Sequence, residues 1–154
     1  MQVYSVELDD FSNSDYALIG IHTSLQGYKL AYLLNKQLAI RFKLAEFALD
    51  FEKQKASFTV FDYFNKALEQ DFFLISNAYK DTETPITEGL FATSDTRTYL
   101  IPEKKKVDFF LKMEGDYTAD FLVKTVAKIN NIPQVVTSYS IEATTLKSKD
   151  YLIF

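Results

Sequence analysis

The stretch VDFFLKMEGDYTADFLVKTVAKINNIPQVVTSYSI, from Val107 to Ile141, decides the fold class, because it joins a strand, a helix and a second strand. Phe109, Leu111 and Met113 follow Val107 at every second position, which predicts a strand with one buried face. Gly115 then ends the strand. After the helix, alternation resumes as far as Ile141. The stretch therefore predicts a strand–helix–strand unit.

The helix of this unit is predicted from its apolar stripe and its start signals. Asp116 or Thr118 can act as the N-cap, and Asp120 in the first turn suits the helix dipole. The apolar stripe recurs at helical spacing. Its members are Phe121, Leu122, Val126 and Ile129.

The segment before this unit, RTYLIPEKKK, predicts a strand that Pro102 stops, because proline lacks a backbone N–H. Its ring also favours an extended Ile101. We therefore expect the strand before Pro102 and the strand from Val107 to form a hairpin around PEKKK. Lys104 to Lys106 would be its solvated tip.

The N-terminal half predicts a second such unit at residues 16–44. YALIGIH, residues 16–22, predicts a buried strand, and the apolar spacing over residues 25–38 predicts a helix capped by Thr23 or Ser24. QVYSVEL, residues 2–8, predicts a further strand. ASFTVFDYF and DFFLISNAY predict antiparallel strands between the two units, and YLIF a final strand.

These elements predict an α+β fold, a mostly antiparallel sheet with two helices. A chain of this length suits one domain, so we expect residues 1–154 to form a single globular domain. KDTETPITEG, residues 80–89, contains proline, glycine and several acids, and predicts an exposed, flexible loop. The unit at 107–141 resembles the βαβ half of a ferredoxin-like or ACT-like domain.

A more specific resemblance lies in residues 101–109. Ile101-Pro102-Glu103, three further residues and then Val107-Asp108-Phe109 resemble the signature of the uncharacterised bacterial IPExxxVDY family. Phe109 stands where that family has tyrosine. The similar size and the position of the signature imply that the resemblance covers the whole chain. The resemblance implies no particular reaction, because the family is uncharacterised.

Composition excludes several classes of chemistry. The chain has no cysteine, which excludes disulfides, thiolate nucleophiles and cysteine-ligated metals. No apolar run reaches the roughly 18 residues of a membrane span, and MQVYSVELDDF lacks the features of a signal peptide. We therefore expect a cytoplasmic protein without a membrane association. The net charge of -4 argues against nucleic acid as a partner.

Candidate binding residues lie in the signature: Glu103, Lys104, Lys105, Lys106 and Asp108. They allow two interpretations. In the first they are structural, with a solvated tip and an Asp108 carboxylate that accepts backbone N–H bonds. In the second, they form a polar surface for a partner or an anionic ligand.

The sequence gives little support for a catalytic site or a metal site. His22 is the only histidine, and we expect it to make a structural hydrogen bond near the helix entry rather than act as a general base. Asp9, Asp10 and Asp15 lack the order of an EF-hand loop, so a solvated loop is expected there. We predict no catalytic residue, no metal and no cofactor.

The aromatic segments around Phe58 to Phe64 carry more rings than one face of a sheet can hide. Either the two helices cover both faces, or an aromatic patch stays exposed for a partner. Our leading hypothesis is a non-catalytic interaction protein that binds another cytoplasmic protein or itself. The alternatives are an ACT-like small-ligand sensor, and a carboxylate-dependent hydrolase or transferase using Glu103, Asp108 or His22.

Overall fold

An antiparallel sheet of six strands organises the protein in the computed structural model, which describes residues 16–51, 55–80 and 97–154. The helices are α1, Gly27–Leu38, and α2, Ala119–Asn130. The strands in chain order are β1 Tyr16–Thr23, β2 Lys43–Leu44, β3 Leu49–Phe51, β4 Ala56–Phe58, β5 Val60–Asn65, β6 Gln70–Ser76, β7 Ala78–Lys80, β8 Arg97–Tyr99, β9 Phe109–Glu114 and β10 Val135–Ile141. Short 3₁₀ turns lie at Pro102–Lys104, Ala143–Thr145 and Lys149–Leu152.

The central sheet has the order β10-β1-β9-β6-β5-β2, with each neighbouring pair antiparallel. Since β9 and β10 flank β1, they run parallel to each other, and α2 connects them as a split βαβ unit. β1 and β6 flank β9, so they too run parallel to each other, and α1 lies between them in sequence. These two interleaved units have the arrangement of a ferredoxin-like sheet. The predicted α+β class is confirmed, and the strand order extends the ferredoxin-like arrangement beyond the C-terminal half.

The predicted unit at residues 16–44 is wrong in its last strand. β2 is two residues long and pairs with β5 at the far edge of the sheet, through Leu44 opposite Phe61. Ala39, with a left-handed φ of 55°, ends α1 and turns the chain away from β1. The strand that completes the unit is β6, which lies beyond the β2–β5 segment in sequence.

Both helices pack on one face of the sheet. Leu30 and Leu34 of α1 and Ile129 of α2 are fully buried against sheet residues such as Ile19 and Leu111. Tyr28 and Tyr32 of α1 point to solvent, so the buried stripe of this helix is narrower than its apolar spacing predicts. The expectation that the two helices cover both faces of the sheet is wrong.

The second face is covered by short hairpins and by turns. The hairpins are β3–β4 and β7–β8. Phe58 of β4, Leu100 after β8 and Leu152 of the last 3₁₀ turn are buried against Ile75 and Phe110 of the sheet. β9 is therefore buried on both faces, although its alternation predicts one buried face. A strand in the centre of a sheet covered on both sides loses that alternation.

The hairpin predicted around PEKKK does not form. β8 pairs with β7, and β9 lies between β1 and β6 instead of beside β8. Pro102 begins a 3₁₀ turn, a position at which its missing N–H and fixed φ are tolerated. Pro102 therefore starts a connection between two sheets and does not sit at a hairpin tip.

The helix ends follow the local sequence signals only in part. Thr118 caps α2 as predicted, because its side chain accepts the Phe121 N–H at 3.1 Å. α1 begins at Gly27 without a side-chain cap, and Thr23 Oγ1 instead accepts the N–H of Leu25 at 3.2 Å. The segment YLIF, residues 151–154, is predicted as a strand but is not one, and its first two residues belong to the 3₁₀ turn Lys149–Leu152.

Three sequence predictions fall outside the residues that the structure describes. They are the strand at residues 2–8, the loop at 80–89 beyond Lys80, and the acidic loop with Asp9, Asp10 and Asp15.

Candidate functional site

The signature segment is held by a single buried side chain, that of Asn77, which directly follows β6 and is fully buried. Its Nδ2 donates to the carbonyl oxygens of Lys104 at 2.9 Å and Val107 at 2.8 Å. Its Oδ1 accepts the N–H of Ile101 at 2.8 Å. One amide side chain thus satisfies three backbone groups of the segment.

The backbone of Asn77 binds the two ends of the same segment. Its N–H donates to the Asp108 carbonyl at 3.0 Å, and its carbonyl accepts the N–H of Leu100 at 2.8 Å. Buried backbone groups need partners, and this connection, outside a sheet ladder, supplies only some of its own, through the Lys104 and Val107 N–H groups. Asn77 supplies these partners, which explains how an irregular segment can lie beside the core.

Glu103 projects from the 3₁₀ turn to the C-terminal turns. Its carboxylate accepts the Ser148 N–H at 2.7 Å and the Ser148 hydroxyl at 3.0 Å. Burial acts to raise the pKa of Glu103, but the hydrogen bonds from Ser148 outweigh it and hold the pKa below its ordinary value. The carboxylate is thus engaged within the chain.

The three lysines of the signature differ in exposure. Lys105 and Lys106 are exposed, and the Lys105 ammonium lies 5.9 Å from the centre of the Tyr99 ring. Lys104 is half-buried, and its carbonyl is bound by Asn77. Lys105 and Lys106 are therefore the more accessible of the three for an outside partner.

Asp108 fixes the entry to β9. Its Oδ2 accepts the N–H of Thr23 at 2.9 Å, and its own N–H donates to the Ile21 carbonyl at 3.0 Å. The sequence predicts that Asp108 accepts a backbone N–H, and it does so. The donor belongs to the end of β1 and not to the turn beside it.

A cleft of about 630 Å³ opens beside Asp108, between the end of β1 and the β7–β8 hairpin. His22 and Asp108 both line it, together with the polar side chains of Ser24, Ser76 and Arg97. Each of these two side chains has a different hydrogen-bond partner. His22 Nε2 lies 2.9 Å from the Tyr139 hydroxyl, and Asp108 accepts the Thr23 N–H. The structural hydrogen bond expected for His22 is present, with Tyr139 as its partner.

The candidates for carboxylate chemistry are divided between two places. Asp108 and His22 share the cleft, whereas Glu103 lies against Ser148 and does not line it. Both carboxylates already accept backbone N–H bonds. Within the described residues, no group of three or more histidine, cysteine, aspartate or glutamate side chains is placed to hold a metal ion.

Phe47, Phe64 and Phe154 form an exposed cluster around the buried Phe73, which we call the aromatic patch. The three outer rings are 41%, 51% and 41% exposed. Phe154 lies 5.1 Å and Phe64 5.7 Å from Phe73 between ring centres, both edge to face, and Phe47 lies 5.6 Å from Phe154. Such contacts fix the rings relative to one another and leave about half of their surface in water.

A buried lysine lies beneath this patch. Lys112 of β9 is 2% exposed, and its ammonium lies 4.1 Å from the centre of the Phe154 ring and 5.4 Å from that of Phe73. Tyr16 lies on another side at 5.0 Å. The ammonium pairs with Glu114 Oε1 at 2.9 Å. Alternation predicts an open face for Lys112, but aromatic rings enclose it.

Asp62 of β5 shares the same face and is 5% exposed. It stands directly opposite Phe73 of β6 on one side and Lys43 of β2 on the other. Its Oδ1 is buried and has no hydrogen-bond partner among the described residues. A buried carboxylate oxygen without a partner is costly, so its position requires an explanation.

A side chain of α2 covers one position of the edge strand β10. Asn130 of α2 reaches over it, and its Oδ1 accepts the Ser138 N–H at 2.7 Å and the Ser138 hydroxyl at 2.9 Å. Proteins commonly cover exposed strand edges in ways that prevent unwanted pairing. The edge is thus partly covered, at Ser138.

Comparison with known proteins gives no assignment. No family model, no curated protein and no solved structure matches the chain. The resemblance of residues 101–109 to the IPExxxVDY family, and a binding role for Glu103, Lys104, Lys105, Lys106 and Asp108, therefore stay predictions. In the described part of the chain, no helix is long and apolar enough to cross a membrane.

Proposed function

We propose that this protein is a cytoplasmic, non-catalytic interaction module, and that the aromatic patch is its main contact surface for another protein. The observation that carries the proposal is a set of three half-exposed phenylalanines, of which Phe64 and Phe154 pack on Phe73 and Phe47 packs on Phe154. Exposed apolar clusters of this kind mark interaction sites, and aromatic residues are enriched in the centres of interfaces.

The packing of the patch favours tight binding. Phe64 and Phe154 meet Phe73 edge to face, so their rings are already ordered before a partner arrives. Complex formation therefore costs less free energy at this surface than at one whose side chains must first be ordered. Rigid aromatic groups are frequent among the residues that dominate binding energy.

The exposed lysines of the signature form the second, smaller part of the proposed surface. Lys105 and Lys106 are exposed, whereas Glu103 and Asp108 are bound within the chain by Ser148 and Thr23. We assign Glu103 and Asp108 to positioning the segment. A charge reversal at Lys105 and Lys106 should weaken binding less than changes in the patch, because solvated charges at the rim contribute little to affinity.

The test is affinity capture from native cytoplasm with the tagged chain and two matched double variants. Phe47→Ala with Phe64→Ala changes the patch, and Tyr28→Ala with Tyr32→Ala removes two rings of at least equal exposure from α1, on the other side of the sheet. We expect the wild type and the α1 variant to recover the same stoichiometric partner. The patch variant should bind it at least about tenfold more weakly.

The capture result is then repeated with purified components. Melting curves of both variants show whether each is folded under the binding conditions. Equal binding by the patch variant, or recovery of no partner by the wild type under gentle conditions, would contradict the proposal.

A second candidate function is sensing of a small ligand in the cleft beside Asp108, in the manner expected of an ACT-like domain. Its support is the volume of about 630 Å³ with polar side chains from several elements. A ligand at 100 times its dissociation constant adds about 2.7 kcal/mol to the free energy of unfolding. A panel of metabolites that leaves the melting temperature unchanged would argue against this function.

A further inference from the structure

We infer that the aromatic patch recognises a cationic side chain, arginine or lysine, of its protein partner, and that Asp62 is the counter-ion for that side chain. This inference rests on the proposed function and adds the chemistry of the partner. It follows from the one Asp62 carboxylate oxygen that lacks a partner among the described residues, from the charges around it and from the way the same rings already hold an ammonium group.

The first observation is the position of Asp62. It stands opposite Phe73, so their side chains lie on the same face, and Phe64 lies two residues further on the same strand and therefore also on that face. Its Oδ1 is buried without a partner in the described part of the chain. Lys43 stands opposite, yet no ion pair joins it to Asp62 among these residues. The carboxylate thus has an unused acceptor beside the patch.

The second observation is the charge of this face. Asp71 stands opposite Phe64, and Glu114 stands opposite Asp71, so two more carboxylates share the face with Asp62. Lys112 and Glu114 form an ion pair, so their charges largely offset each other, and the carboxylates of Asp62 and Asp71 remain. The carboxylates outnumber the ammonium groups in these rows, and the whole chain carries a net charge of -4. A cationic side chain of the partner is therefore the complementary group at this face.

The third observation is that these rings already bind a cation. The Lys112 ammonium lies within about 6 Å of three ring centres, the range in which a ring attracts a cation, and the closest is Phe154 at 4.1 Å. The outer sides of Phe154 and Phe64 remain exposed. A guanidinium or ammonium group bound there would contact a ring and lie on the same face of the sheet as the Asp62 carboxylate. Arginine suits both contacts, because its planar group stacks on rings and pairs with carboxylates.

The experiment selects peptides from a random display library on the immobilised chain, since such a library can be used before the natural partner is identified. Three proteins are compared: the wild type, Asp62→Asn, and Asp120→Asn as the matched control on the exposed side of α2. We expect the wild type and the control to enrich peptides with an arginine or lysine flanked by apolar residues. Asp62→Asn should show a much weaker preference for a cation.

The affinity of a selected peptide then measures how much its positive charge contributes to binding. Replacing its arginine with citrulline, or its lysine with norleucine, keeps most of the shape and removes the charge. We expect the neutral peptide to bind the wild type at least about tenfold more weakly, and the difference to be clearly smaller with Asp62→Asn, where only the rings still attract the cation. The peptide substitution needs no change in the protein, so the test stands even if Asp62→Asn fails to fold.

The outcomes separate this inference from the proposed function. Selected peptides without a cation, which still depend on Phe47 and Phe64, would overturn the inference and leave the interaction module standing. A neutral peptide that binds as tightly as the charged one would overturn the inference in the same way. If the wild type selects no peptide and captures no protein from native cytoplasm, both the inference and the proposed function fail.

Discussion

The side-chain amide of Asn77 accepts the backbone N–H of Ile101 at 2.8 Å, across 24 residues of sequence, and in doing so joins the end of β6 to the signature segment. The same amide donates to Lys104 and Val107 further along that segment. The conformation of the residues that resemble a family signature is therefore set from outside the signature.

Replacing Asn77 with alanine should destabilise the protein strongly. It leaves the N–H of Ile101 and the carbonyl of Val107 without partners in a buried place, and it removes one of the two hydrogen bonds that the Lys104 carbonyl accepts. At about 1–3 kcal/mol for each unsatisfied group, we expect the free energy of unfolding to fall by about 3 kcal/mol or more. Urea denaturation followed by circular dichroism measures the change. Asn131→Ala, at an exposed position, should alter it by less than about 0.5 kcal/mol, and a loss of similar size in both variants would contradict the role of Asn77.

The contact between Glu103 and Ser148 predicts a pH dependence. The pKa of Glu103 is lowered in the folded protein, so its ionised form stabilises the fold above the ordinary pKa of 4.5. That contribution disappears as the pH falls through the lowered folded pKa. Glu103→Gln should therefore be less stable than the wild type at neutral pH, and the gap should close in acid.

Urea midpoints of the wild type and of Glu103→Gln, measured at neutral pH and at steps below 4.5, test this expectation. The effect should be small, because the carboxylate is exposed. Glu142→Gln, at another exposed site, serves as the control. If the difference in stability between the wild type and Glu103→Gln grew as the pH fell, the predicted pH dependence would be wrong.

The enclosure of Lys112 predicts slow chemical modification of its amine. Brief acetylation followed by mass spectrometry should modify Lys105 and Lys106 rapidly and Lys112 only as the protein unfolds, because Lys112 is 2% exposed beneath Phe154. Phe154→Ala should accelerate the reaction of Lys112. Phe121→Ala removes a ring of similar exposure from α2 and should leave the rate unchanged; an equal acceleration by both variants would count against the packing of Phe154 on Lys112.

The opposite faces of β9 show where sequence patterns suffice and where they do not. Phe109, Leu111 and Met113 are buried as their alternation predicts. Phe110 and Lys112 lie on the other face, and they too are buried, by residues distant in sequence such as Phe58 and Phe154. A period-two pattern reports what one strand prefers, but the cover on each face depends on elements that the strand itself does not encode.

The candidate site shows the same division. The sequence identifies Asp108 as an acceptor of a backbone N–H, because short acidic side chains often act so. Its donor, Thr23, is 85 residues away. The sequence does not identify Asn77 or Asp62 as site residues, since a single polar residue near a strand carries no local sign of burial. Their one signal is their position in otherwise apolar, aromatic segments.

Local sequence is enough to specify the α+β class, both helices and the Thr118 cap, because apolar spacing and capping act over a few residues. The strand order, the placement of both helices on one face and the burial of Asn77, Asp62 and Lys112 are properties of the folded chain only. These features arise when distant strands pair and distant side chains pack. Their free energies depend on contacts between residues that no local pattern brings together.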